Sequence, residues 1–165
     1  RAPMKKLFVL SAAATMAIPS VVSADMTPRD VVFGELGEVA TPLTDTPGDT
    51  EAGFKAATTR GIGNCVACHV AKGWEDMPFP GNVGPELTGI ANVYDEAQLR
   101  GILINSKKSF PGTVMPAFYN LDDIVRHGEA YTGKAAKSLD VTIMTAQQVE
   151  DIVALLKTFD EPLPE

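Results

Sequence analysis

Both cysteines of the chain and one of its two histidines fall within five residues, inside the run GNCVACHVAKG over residues 63–73. Three chemistries use such a group. A structural zinc site needs four ligands, and the sequence holds only these two cysteines and two histidines; adjacent Cys68 and His69 cannot easily face one tetrahedral centre. A redox dithiol usually places Cys-x-x-Cys at a helix start after a strand, whereas the residues before Cys65 read as helical. Covalent haem attachment asks for the spacing found here. Two thiols on one turn reach two vinyl groups, and the next side chain, His69, turns under the iron as its proximal ligand. A single disulfide across so short a gap would close almost no loop and add little stability. The motif is therefore read as a c-type haem anchor, with Cys65 and Cys68 as the thioether residues.

A haem with one axial histidine either leaves its other face open or fills it for electron transfer. The candidates are Met26, Met77, Met115, Met144 and His127. Met144 precedes a helix cap at Thr145, where it can staple onto Val149. Met77 lies eight residues after His69, a reach of at most about 26 to 29 Å, which leaves nothing to build the wall. Met26 sits in a segment expected to be terminal, where order is least expected. Met115 stands in PGTVMPAF, a loop stiffened by Pro111 and Pro116 that can hold a thioether against iron. It is the preferred ligand over core-filling methionine, and His127, in VRHGEA, is the second candidate. A proximal histidine usually gives its other ring nitrogen to an oxygen acceptor, and Gly84-Pro85 in GNVGPEL offers a rigid carbonyl or an ordinary turn.

These residues require elements to carry them. Residues 25–48, with TPLTDTPG, read as an extended N-terminal arm. Asp49 caps a helix running to about Arg60, and the cysteine motif follows directly. Residues 70–93 are rich in proline and glycine and read as loop. Asp95 with Gln98 resembles a capping box, and Leu99, Ile102 and Leu103 form one face, which predicts a helix over about 96–105. The Met115 loop comes next, and residues 120–143 give no firm period. Thr145 with Gln148 starts the last helix, Val149, Ile152, Val153 and Leu156 make its apolar stripe, and Pro162 is read as its stop. No strand alternation or internal repeat of useful length occurs. The fold class expected is all-α and loop-rich, in one domain.

The first 24 residues are read as a signal peptide. Lys5 and Lys6 follow Met4, residues 7–18 are apolar, and Val22-Ser23-Ala24 is a cleavage site, with residues 1–3 set aside as a scar. A mature chain from Asp25 would hold 141 residues and be exported to the periplasm, with no membrane insertion. The full chain carries a net charge of −7; without Arg1, Lys5 and Lys6, 11 basic residues face 21 acidic ones, or −10. That balance argues against nucleic acid as a partner. Lys107 and Lys108, just before the Met115 loop, are read as a solvated pair in preference to a docking patch.

The runs GDTEAGFKAATTRGIGNCVACH, GNVGPELTGIANVY, GTVMPAF and MTAQQVEDIVALLKTF together resemble class I cytochromes c. Over residues 30–160 the wording is similar to one family among them, the mono-haem SoxX subunits of SoxAX cytochromes. The resemblance implies the class I cytochrome c fold, here with an N-terminal arm and an insertion before the C-terminal helix. It implies one covalently bound haem c, held by Cys65 and Cys68, with His69 and Met115 as axial iron ligands and the Pro85 carbonyl facing His69. It also implies that the helix carrying Gly53 and Phe54 crosses the C-terminal helix, small Gly53 permitting close approach. SoxAX complexes conjugate thiosulfate to a cysteine of the SoxYZ carrier, an L-cysteine S-thiosulfotransferase activity. In them the SoxA subunit holds the catalytic haem, and the mono-haem subunit accepts electrons for a downstream cytochrome. Both cysteines here would be occupied in thioethers, so no catalytic thiol remains. A free, diffusible electron carrier is the alternative expectation, and an open-site sensor or peroxidase is a third.

Overall fold

The computed structural model describes residues 25–78, 80–122, 134, 138 and 140–162; residues 1–24, read as a signal peptide, His127 and most of 120–143 lie outside them. The described residues form three α-helices and two short 3₁₀ turns without strands, as the all-α expectation requires. Helix α1 is Thr50–Thr58, α2 is Glu96–Ser109 and α3 is Ala146–Leu156, with 3₁₀ turns at Cys65–Ala67 and Ile90–Asn92.

Each helix starts where its capping residue stands. The Asp49 carboxylate accepts from Ala52 N at 2.7 Å, and Asp95 with Gln98 and Thr145 with Gln148 both form complete capping boxes. The ends differ from the sequence reading. Helix α1 stops at Thr58, short of Arg60, because Thr59 turns extended and gives both its N–H (3.0 Å) and its hydroxyl (2.6 Å) to Lys55 O. Helix α3 stops at Leu156, well before Pro162: the Thr158 hydroxyl and N–H both go to Leu155 O, so a threonine rather than the proline ends it. Helix α2 continues past 105 to Ser109, but it is broken at Asn105, whose φ of −151° and ψ of 91° are extended.

The core forms where α1 crosses α3. A Cβ on Gly53 would stand 2.1 Å from Asp151 O, so the two backbones approach as only glycine allows. Ala56, Ala57, Val149, Ile152 and Val153 fill the crossing, and Leu99, Leu103 and Ile104 of α2 close it from the side. Met144 and Val149 are both buried in this core, and the Met144 methyl lies against Gly63 next to the cysteine motif.

The segment read as an arm belongs to this core. Val39 and Leu43 are buried among the helices, and Met26 N donates to Leu43 O. A buried ion pair locks them: Arg100 of α2 meets Glu150 of α3 in a two-pronged contact at 2.8 and 3.0 Å. Arg100 also donates to Val39 O, and Glu150 accepts from Leu43 N. Among the described residues no buried side-chain polar atom lacks a partner, so this charge pair is a satisfied one.

Candidate functional site

The cysteine motif is shaped by its backbone. Asn64 adopts the left-handed conformation (φ 48°), which turns the chain out of α1 and into the 3₁₀ turn at Cys65–Ala67. The Cys65 carbonyl then accepts from both Cys68 N (3.0 Å) and His69 N (2.9 Å). One tight turn thus carries Cys65, Cys68 and His69 together. The two thiols are not bridged. Burial pushes the Cys65 thiol up to about 11, well above the range in which a thiolate forms at neutral pH, so it is a poor redox nucleophile.

A second segment lies along the motif and pins it. Gly81 N donates to Val66 O, Gly84 N to Cys68 O and Leu87 N to Val70 O, every second carbonyl of the motif meeting every third N–H of the segment, and Lys72 N reaches the Thr88 hydroxyl at the end of the run. The approach leaves no room for side chains. A Cβ on Gly81 would stand 1.9 Å from Ala67 O, and one on Gly84 would stand 2.3 Å from Cε1 of His69. The next residue supplies the acceptor that the sequence pointed to: Pro85 O lies 2.7 Å from His69 Nδ1. A carbonyl only accepts, so Nδ1 carries the proton and the lone pair of the neutral ring sits on Nε2. Among the described residues no hydrogen bond engages Nε2, which is the state a metal-ligating imidazole needs.

Met115 stands on another segment, half-buried. Its N–H donates to the Thr113 hydroxyl at 3.2 Å, and its carbonyl accepts from the Ser106 hydroxyl at 2.9 Å and from Lys107 Nζ. Sequence reasoning missed Ser106, Gly81 and Gly84, whose roles depend on contacts between segments. It also took Lys107 and Lys108 as merely solvated. In the structure Lys107 holds the Met115 carbonyl, and the Lys108 ammonium sits 5.8 Å over the Phe33 ring. Met77 is half-buried in the loop after Trp74, and Met26 belongs to the packed arm.

Two unbridged thiols and an imidazole with no hydrogen bond on Nε2, carried on one tight turn, fit covalent haem c, while Met115 stands on a separate loop whose backbone is held by Thr113, Ser106 and Lys107. No group of three or more His, Cys, Asp or Glu side chains able to hold a bare metal ion occurs among the described residues. The fold and the motif together define a class: over residues 50–160 the sequence matches the cytochrome c family, and the chain belongs to it. Such a protein carries covalently bound haem c.

The particular likeness is narrower. The chain is similar to a chain in the crystal structure of SoxXA from P. pantotrophus, at 46% identity and a TM-score of 0.78, covering 84% of this chain and 100% of that one. The resemblance to mono-haem subunits of SoxAX cytochromes read from the sequence is borne out by that match. Comparison with curated proteins yields no match.

Proposed function

We propose that the chain is the electron-accepting mono-haem subunit of a SoxAX cytochrome, working in the periplasm after removal of residues 1–24. The observation that carries this is the 46% identity over the whole of a SoxXA chain. Its partner is then a SoxA subunit in a heterodimer, and the complex joins thiosulfate to a cysteine of a SoxYZ carrier. Haem supplies one-electron storage. Cys65 and Cys68 would anchor it, and His69 through Nε2 and Met115 through its thioether would hold the iron, a ligand pair that favours the reduced state. Pro85 fixes the tautomer and orientation of His69, and Gly84 lets the loop close over the ring. With both cysteines in thioethers the chain has no thiol to carry a sulfur intermediate, so bond-making falls to the partner.

One experiment separates this from a freely diffusing carrier. An extract of the native host is fractionated, and the fractions are run on denaturing gels stained for haem-peroxidase activity. The reading expects this chain to keep its colour after denaturation and to elute with a second cytochrome. A colourless band defeats covalent haem, whereas a coloured band eluting alone defeats the subunit role.

A further inference from the structure

Helix α2 does not end as a helix should, and the break faces the Met115 loop. An unbroken helix would direct the Leu103 and Ile104 carbonyls to the N–H groups of residues 107 and 108. The extended Asn105 interrupts that pattern, and Lys107 N turns to the Asn105 side-chain oxygen at 3.1 Å. The Leu103 and Ile104 carbonyls accept from the far side of the loop, Phe118 N at 3.1 Å and Tyr119 N at 3.2 Å. Beyond the break, Ser106 and Lys107 converge on a single atom, the Met115 carbonyl oxygen.

The loop is therefore fixed at both ends and in the middle. Its entry turn is closed by Thr113 N on Phe110 O, with Gly112 at φ 85°. Its exit is zipped to α2 through Phe118 and Tyr119. Between them the Met115 peptide uses its N–H on Thr113 and its carbonyl on Ser106 and Lys107. Ser106 is 0% exposed, and its hydroxyl also lies 3.5 Å from Pro116 O. A hydroxyl so deeply placed is there for its bonds. What remains free of Met115 is the side chain.

A thioether is a neutral and weak ligand, so its hold on iron depends on how much freedom it must lose to bind. Resting on the reading that Met115 is the distal ligand, we infer that Ser106 and Lys107 are positioning residues. They grip the Met115 carbonyl from the broken end of α2 and present its sulfur to the iron, so that added ligands are excluded.

The test titrates ferric holoprotein with imidazole, which competes for the distal position, and follows the change of absorption spectrum. Ser106→Ala with Lys107→Ala should raise imidazole affinity about tenfold or more, the equivalent of the two bonds removed. Lys107→Arg, which restores a charged donor, should return much of the difference. The same pair of substitutions is made in a Met115→Ala background, where positioning has nothing left to act on and affinity should not rise further. A tenfold rise in that background too would mean general loosening of the pocket and would overturn the inference. Parent-like affinity in the double variant would overturn it as well. If Ser106→Ala prevents folding, Lys107→Ala at its half-buried position carries the same comparison. Failure of the underlying reading is seen separately: Met115→Ala alone would then leave the parent spectrum and affinity unchanged.

Discussion

At the scale of single residues, the orientation of His69 depends on an absence and on a backbone atom. A Cβ on Gly84 would come within 2.3 to 2.6 Å of Cε1, Nδ1 and Nε2, so any side chain there pushes the whole ring aside. Pro85 contributes its carbonyl, which every residue possesses. Gly84→Ala should therefore destabilise by about 1–3 kcal/mol through overpacking and lower the haem bound per chain. Pro85→Ala should keep full haem content and lose only about 0.4–1 kcal/mol of loop stiffness. Haem content by absorbance and urea midpoints check both, and haem loss confined to Pro85→Ala would contradict the geometry. The local part of this site was legible in the sequence, since the five-residue spacing of Cys65, Cys68 and His69 already puts them on one turn, as the structure has them. The Pro85 acceptor was legible as an option because a proline-fixed carbonyl is rigid. Gly81 and Gly84 were not, because their neighbours are the motif itself, 14 or 15 residues back along the chain.

At the scale of elements, the α1–α3 crossing sets the frame on which the haem motif hangs. The motif leaves α1 directly, and Gly63 N returns to Ala56 O, so a shift of α1 moves Cys65. Gly53→Ala would put a methyl 2.1 Å from Asp151 O and 3.0 Å from the Leu155 Cβ, against backbone that cannot yield without separating the helices. A loss of about 1–3 kcal/mol or more is expected in urea denaturation. Gly61→Ala is the control. Nothing lies within 4 Å of its Cβ position, and it should leave the midpoint unchanged or slightly higher. Helix starts were readable because a cap is a side chain bonding to its own neighbours, as Asp49, Asp95 and Thr145 all do. Helix ends were not. The break at Asn105 answers to a loop that folds back onto α2, and proline at 162 announced a stop that Thr158 had already made.

At the scale of the whole molecule, several polar contacts stitch the N-terminal segment to the rest, and two of them tie it to the buried ion pair and to the Met115 loop. One is the Arg100–Glu150 pair with its bonds to Val39 and Leu43; the other is Tyr119, whose hydroxyl donates to Met26 O at 2.6 Å. The second joins the first described residues to the exit of the Met115 loop and responds to pH. Burial, and then the charges of Asp25 and Asp30, hold the Tyr119 phenol above its ordinary value of 10.0. The folded chain therefore keeps a proton that the unfolded chain releases, so the stabilisation is complete below the unfolded value and is lost as pH rises through the higher folded one. A phenolate also cannot donate to the Met26 carbonyl. Tyr119→Phe should lower the urea midpoint at neutral pH, and the gap between parent and variant should narrow as pH climbs above about 10. Asp25→Asn with Asp30→Asn removes the two charges and should move the narrowing to lower pH, toward the ordinary phenol value. A parent–variant gap that stays constant from neutral to strongly alkaline pH would show that the Tyr119 hydroxyl does not titrate between the arm and the loop.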